Sequence, residues 1–397
     1  MTSGTAAPVE RWLDANGAGL VAVRRHLHAH PELSGEEHET TRFVADRLVA
    51  VGLEPRVLRS GTGLLCDIGS GAGPVIALRA DIDALAMQDE KQTAPRSTRD
   101  GIAHACGHDV HTTVVLGAGL HLAGSHRDGD PRIRLVFQPA EERVPGGALD
   151  VIADGGLDDV AVIYGLHCEP KIPTGSVGLR VGAITSATDA LEIELTGPGG
   201  HTARPELTLD LVDLAARIVT HLPDAVRRHV GADAPIKLVF GAIHAGDAAN
   251  VIPARATLRA AVRTTSEPVW TMLPGAVEDA LAELVRDDRV TISVRHVRGV
   301  PPVVNDPEAI ATAERSVSRM LGAEAVVPAP QSWGGDDFAW YTQQVPGAYL
   351  RLGTHDPSRG PMLDLHAGRF DVDERAIGIG VRLLVGIVED ELDRRRP

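Results

Sequence analysis

The sequence predicts an α/β chain: a mostly parallel sheet flanked by helices, with a smaller α+β domain inserted into it. Three observations lead there. Short, continuous apolar runs alternate with helical stretches between residues 75 and 166. Near residue 187 the order changes to strand, helix, strand, strand, helix, strand. And at 397 residues the chain exceeds the length at which a single core keeps growing, so two domains are expected.

Taken in order, 8–27 reads as a helix and 36–51 as a second, amphipathic one. The run 75–80 is apolar and ends at Asp81. A second run, 132–137, leads into Gln138-Pro139-Ala140-Glu141-Glu142, and a third, 160–166, ends at His167. A helix-like stretch, 112–123, follows the hexapeptide His104-Ala105-Cys106-Gly107-His108-Asp109. Continuous apolar runs of this length suit strands covered on both faces. In open α/β sheets the ligand site lies outside the carboxyl ends of the strands. Asp81, Glu141, Glu142 and His167 are all expected just past such ends.

The middle segment reads as strand 189–195, helix 207–222, strands 236–243 and 256–264, helix 267–285 and strand 290–297. That βαββαβ order is the ferredoxin-like pattern. It holds none of the candidate metal ligands, so 187–298 is read as an insertion between two parts of a catalytic domain, 1–186 and 299–397. From Asp371 onward the chain closes with an amphipathic helix and a charged tail.

Composition narrows the function. A hydrophobic fraction of 43% and a charged fraction of 23% are ordinary for a globular protein. The formal net charge of -15 argues against nucleic acid or an anionic membrane as partner. Three scattered cysteines, Cys66, Cys106 and Cys168, do not make a disulfide framework. Residues 1–8 lack a basic stretch followed by an apolar one, so no signal peptide is expected. The greasy stretch 376–388 contains Arg382 and is short of the ~20 apolar residues that a membrane span needs. A reduced, cytoplasmic location is the expectation.

The chemistry lies in the hexapeptide and in three distant partners. A thiolate and an imidazole two residues apart, Cys106 and His108, can reach one metal centre from a single turn. Either alone would more often be a buried thiol or a satisfied imidazole. Glu141 and Glu142 follow an apolar run and Pro139, which places them at the rim of the sheet rather than on a solvated helix face. One carboxylate can bind metal while its neighbour takes a proton from water, general-base work of about 10²–10⁴-fold. His167 and His366 add imidazoles, though neither is convincing by itself. His104 and His111 are read as supporting residues. The set points to a metallohydrolase.

Nine stretches then carry a resemblance: RRHLHAHPELSGEE (24–37), LRADIDALAMQ (78–88), HACGHDVHT (104–112), VFQPAEE (136–142), GLH (165–167), GPGGHTARP (197–205), NVIP (250–253), GDDF (335–338) and LHAGRFDVDE (365–374). In this order they resemble the amidohydrolase branch of the cocatalytic metallo-aminoacylase and carboxypeptidase family. That branch holds hippurate hydrolases, auxin-conjugate hydrolases and N-acyl-amino-acid deacetylases. The resemblance implies a zinc-peptidase-like catalytic domain with two divalent ions per subunit and a smaller lid or dimerisation domain, hence a homodimer. It gives Cys106, His108, Glu142, His167 and His366 as ligands, with Cys106 suited to bridge the two ions. Zinc suits the thiolate and imidazoles; the carboxylate and the family also admit manganese, cobalt or nickel.

The same resemblance gives Glu141 as the base that activates water and then protonates the leaving amine. Asp81 becomes the carboxylate that orients a ligand, and Arg79 stands where peptidase branches carry a ligating His. His201 would polarise the scissile carbonyl. Asn250 and Arg263 would hold the substrate carboxylate, for which Arg offers a two-pronged grip. His26, His28 and His30 are expected in structural or dimer-contact roles, and Asp336-Asp337 as fixing a loop. Two departures stand out: Glu206 replaces a His found in many relatives, and Leu85-Ala86 replaces Leu-Pro. A carboxylate at 206 would disfavour a nearby anionic group.

The implied reaction is hydrolysis of an N-acyl amino acid or related amide to a carboxylate and a free amino acid. The alternative is a dipeptidase or carboxypeptidase acting on short peptides, which would use the same ligands. A catalytically dead binding protein or a purely structural metal site fits less well, because Glu141 beside a ligand has no structural need.

Overall fold

The computed structural model describes residues 8–71, 73–127 and 129–395. The expectation for the N-terminus, residues 1–8, falls outside them except at Pro8. The chain divides into two compact units. One comprises Met1–Ile184, Val304–Pro330 and Asp337–Pro397; the other comprises Thr185–Val303 and Gln331–Asp336.

The sheet of the first unit runs Arg56–Val57, Leu64–Ile68, Ile133–Gln138, Val75–Asp81, Val160–Pro173, Gly347–His355, Val177–Leu179, Val326–Pro328. The four strands from Ile133–Gln138 to Gly347–His355 are parallel to one another. Leu64–Ile68 pairs antiparallel with Ile133–Gln138 on one side. Every residue of Val75–Asp81 and of Ile133–Gln138 is buried, as strands covered on both faces require. Fully burying one Leu or Ile of this core contributes about 1.5–3 kcal/mol. Helix His108–Ser125 packs between helices Pro8–Ala29 and Arg375–Arg395 and is buried along most of its length, with no polar face.

The helix after the hexapeptide begins at His108, not at 112. The third apolar run does not end at 166: its strand continues to Pro173, so His167 lies inside it rather than past its end. The cause is pairing with Gly347–His355, which sets Arg351 opposite His167 and Gly353 opposite Glu169. A partner strand so distant in sequence leaves no mark on the local run.

In the second unit four antiparallel strands run in the order Ile236–Ala245, Arg255–Thr264, Ala187–Thr196, Thr291–Val300. Its two helices are Leu211–Val230 and Glu267–Leu284. Burial alternates along Ala187–Thr196, the mark of a sheet with one covered face. Asp210 caps the first helix by accepting from the Val212 and Asp213 N–H groups, at 2.9 and 3.2 Å. That helix runs through Pro223 to Val230, beyond the expected end at 222. Leu214, Ile218, Leu222, Ala225 and Val226 keep one face buried, which offsets the bond lost at proline. The segment 331–336 joins this unit because the Trp333 carbonyl accepts from Ser186 Oγ and Arg263 Nη1, both at 2.7 Å. Lys237 Nζ lies 3.9 Å from the Trp333 ring centroid.

Among the described residues no helix is long and apolar enough to cross a membrane. Helix Arg375–Arg395 instead ties the chain's end to the sheet: buried Glu391 accepts from Tyr164 Oη at 2.7 Å and from Arg394 Nη2 at 2.8 Å. Burial alone would raise the Glu391 carboxyl, but Arg394 and Tyr164 hold it below its usual 4.5. A depressed carboxylate stabilises the fold above the unfolded value and ceases to do so as pH falls through the folded one. Glu391→Ala is therefore expected to cost ~2 kcal/mol at neutral pH. Thermal melts of both proteins should show the gap narrowing as pH falls below 4.5; a pH-independent gap would refute the assignment.

Candidate metal centre

The turn Cys106-Gly107-His108 is made by Gly107, whose φ is +88°. A Cβ there would also lie 2.8 Å from Cys168 Sγ, so only glycine fits. His108 opens the following helix. Its Nδ1 faces two acceptors, Asp83 O at 3.0 Å and Asp83 Oδ1 at 3.2 Å, and must donate to them. That leaves the Nε2 lone pair turned the other way, buried and without a hydrogen-bond partner. Asp81 Oδ2 lies 3.8 Å from Nε2, and Glu141 Oε2 and Glu142 Oε1 each lie 3.9 Å from it.

His167 is prepared in the same manner. Its Nδ1 donates to Cys168 O at 2.7 Å, and its Nε2 stands 3.4 Å from Cys106 Sγ. His366 arrives from the far end of the chain with φ of +59°, its N–H donating to Ala105 O at 2.8 Å. Its Nε2 is 3.6 Å from Glu142 Oε1. Of five triads of potential ligands among the described residues, two contain the thiol, Cys106/His108/His167 and Cys106/Glu142/His366, each with donor atoms within 4.8 Å of one another. Cys106 belongs to both.

Electrostatics favours a cation here. Burial alone would lower the His108 imidazole, yet Asp81, Cys106 and Asp83 raise it well above its usual range. Groups that carry negative charge when ionised thus surround the ring. Burial pushes the Cys106 thiol up, so a thiolate there requires a compensating cation. Burial also raises Glu142, partly opposed by His108 and His366. His108 Nε2 and Glu142 Oε1 are both buried and unpartnered. Buried lone pairs of this kind are costly unless something occupies them. Thiolate, imidazole and carboxylate in these two triads fit a pair of divalent ions.

Asp81 is fully buried beside the centre. Its Oδ1 accepts from His111 Nδ1 at 2.6 Å and its Oδ2 from Arg79 Nη1 at 2.5 Å. Burial would raise this carboxyl, but His108, His111 and Arg79 hold it well below its usual range. His111 Nε2 accepts the Cys168 N–H at 2.8 Å, so both its nitrogens are occupied in bracing. The closest hold on His108 comes from Asp83, which the sequence reading passed over. Its signal was the Asp81-x-Asp83 spacing at a strand end, which turns both carboxylates the same way. Asp337 accepts from Arg79 Nη2, Gln138 Nε2 and the Ala148 N–H, and so fastens the loop after Gln138.

The N-terminal motif also braces the centre. Arg24 Nε and His28 Nδ1 both reach Asp109 Oδ2 at 2.8 Å, holding the start of the helix that carries His108. His26 stacks on Phe43 at 4.1 Å, and His30 Nδ1 meets His26 O at 2.8 Å. His104 is buried with neither ring nitrogen bonded, and burial takes it down to about 3.

In the second unit His201 pairs with Val251, and the Thr202 N–H donates to Asn250 O at 3.2 Å, so His201 and Asn250 lie on one short antiparallel ribbon. Arg263 is not with them. That ribbon follows Thr196 on one chain segment and precedes Arg255 on the other, whereas Arg263 pairs with Thr188 at the other end of the same two strands. Arg263 is eight steps along the strand from Arg255, on the order of 26 Å. Exposed Glu206 lies in the turn Pro205–Leu207.

The model of peptidase family M20/M25/M40 matches residues 77–390. A Rhodococcus jostii protein bearing a glutamate–cysteine ligase name is 45% identical over 372 residues, which cover 94% of this chain but 46% of that protein. The chain thus spans about half of its length. The N-acetyl-L-cysteine deacetylase of Bacillus subtilis is 37% identical over 359 residues, 90% of this chain and 84% of that enzyme. Among solved structures, the Bacillus subtilis YXEP protein, described as a dinuclear metal binding peptidase, superposes with a TM-score of 0.84 at 30% identity. The match covers 96% of this chain and 99% of that one. With Cys106, His108, Glu142 and His167 gathered at a mainly parallel sheet, the chain belongs to peptidase family M20/M25/M40.

Proposed function

We propose that this protein is a metal-dependent amidohydrolase that cleaves N-acyl amino acids or related amide conjugates to a carboxylate and a free amino acid. The observation that carries this reading is the pair of donor triads sharing Cys106, with Glu141 directly beside Glu142. The deacetylase name of the Bacillus subtilis relative supports it. The ligase name belongs to a protein of which this chain spans 46%.

Cys106, His108 and His167 would hold one ion, and Cys106, Glu142 and His366 the other. When bound, divalent ions in this position acidify water and draw electron density from an amide carbonyl. Glu141 takes the proton from the attacking water and returns it to the departing nitrogen. Asp83 and Cys168 O keep His108 and His167 in the tautomer whose Nε2 is free to bind. Asp81 and His111 brace the floor of the centre.

His201 would polarise the scissile carbonyl, and Asn250 and Arg263 would receive the substrate carboxylate. Because the last two stand at opposite ends of the sheet, one subunit offers a given carboxylate only one of them. That separation suits a homodimer assembled through the second unit, each site drawing on both chains.

Amine release from N-acetyl, N-benzoyl and indole-acetyl amino acids, measured beside dipeptides with metal-loaded enzyme, tests the reading. Acyl amino acids are expected to turn over with little activity on dipeptides. Cleavage confined to dipeptides would make the protein a peptidase with the same machinery. No turnover of either class would remove the proposal.

A further inference from the structure

Ala140 immediately precedes Glu141 and Glu142 and has φ of +54°. A residue bearing a Cβ pays for the left-handed region, so such a conformation persists only where its surroundings impose it. Three bonds do so. Glu37 Oε1 accepts the Ala140 N–H at 2.8 Å. Ala140 O accepts the Gly147 N–H at 3.0 Å. Asp83 Oδ2 accepts the Glu142 N–H at 3.0 Å. Gly147 has no alternative, since a Cβ there would lie 1.9 Å from Pro139 O.

Glu37 occupies an odd place for this task. It is the N-cap of helix His38–Val49, where an acidic side chain ordinarily accepts from the first N–H groups of its own helix. It makes no such bond. Glu32 caps instead, accepting from the Glu39 and Thr40 N–H groups at 3.1 and 2.8 Å. Glu37 is thereby released to reach across to Ala140, and its Oε1 is steadied by the Gly35 N–H at 2.8 Å. The side chain is fully buried, and its Oε2 has no hydrogen-bond partner. Burying a carboxylate with one oxygen unmet is costly. Nothing in the helix it begins requires that cost.

We propose that Glu37 is a positioning residue for the hydrolytic site: its Oε1 clamps the Ala140 amide and so holds the left-handed turn that presents Glu141 and Glu142. The proposal rests on the roles given above to those two carboxylates. What matters in Glu37 is then reach, one oxygen at the right distance, rather than charge. Glu37→Asp keeps the charge and withdraws the oxygen by one methylene; Glu37→Gln keeps the oxygen and removes the charge.

Both variants are made in the full-length, metal-loaded protein and assayed on an acyl amino acid that the wild type turns over. Glu37→Asp is expected to lower kcat by about 10²-fold with KM nearly unchanged, as displaced catalytic groups do. Glu37→Gln recovers most of that loss. Adding Ala140→Gly to Glu37→Asp restores part of the activity, because glycine takes positive φ without the clamp. Amide hydrogen exchange, followed by mass spectrometry, rises over 140–142 in Glu37→Asp and not in Glu37→Gln. Wild-type kcat in Glu37→Asp, or Glu37→Gln as impaired as Glu37→Asp, overturns the proposal. Glu141→Gln is assayed alongside. If it stays active, the hydrolytic reading fails, while the exchange data still decide whether the clamp exists.

Discussion

In the Glu141→Gln variant, kcat on an N-acyl amino acid falls by about 10²–10⁴-fold, the range of a lost general base. Bound metal stays at the wild-type level. Glutamine matches glutamate in size, so the turn at Ala140 and the bond from the Glu142 N–H to Asp83 have no steric reason to change. Only the capacity to take up a proton disappears. Metal content measured by elemental analysis on the same sample separates this outcome from collapse of the site. Appreciable turnover with full metal occupancy would take Glu141 out of the mechanism.

Cys106→Ala has the second large effect, and its logic is stoichiometric. Cys106 is common to both triads, while His366 belongs to one. Removing the thiolate leaves each ion position with two donors, fewer than the four that zinc sites employ, so metal content falls toward zero and activity with it. His366→Ala disturbs one triad only and is expected to retain about one ion per chain. Its backbone conformation argues in the same direction, since His366 adopts φ of +59° to reach the centre and alanine gains nothing there. Equal metal loss in the two variants would show that Cys106 does not bridge. Zinc, manganese, cobalt and nickel compared in reconstitution would show which ion the mixed donor set prefers.

Much of the molecule was legible in the residues because its signals are local. Continuous apolar runs marked Val75–Asp81 and Ile133–Gln138, whose every residue is buried. The βαββαβ order of the second unit followed from alternation and helical periodicity, and its four strands do form one antiparallel sheet. Ligand chemistry at close spacing singled out Cys106 with His108, and Glu141 with Glu142. Boundaries were less legible where distant partners set them. The strand bearing His167 runs to Pro173 because Gly347–His355 pairs with it, and Trp333 joins the second unit through a carbonyl bonded by Ser186 and Arg263.

The sequence alone determined the inventory: which side chains can bind a cation, which carboxylate stands beside a ligand, and which family the motifs resemble. These depend on residue type and short spacing. Tertiary structure alone decided which groups are braces and which face the centre. Asp83 accepts from the His108 ring; His111 spends both nitrogens on Asp81 and Cys168; Glu37 abandons its own helix for Ala140. Arg263 is parted from Asn250 by the length of a strand. The reason is physical. A hydrogen bond is short and directional, so a brace is defined by where two chain segments meet in space, and segments 30, 59 or 103 residues apart record that meeting nowhere in their local pattern.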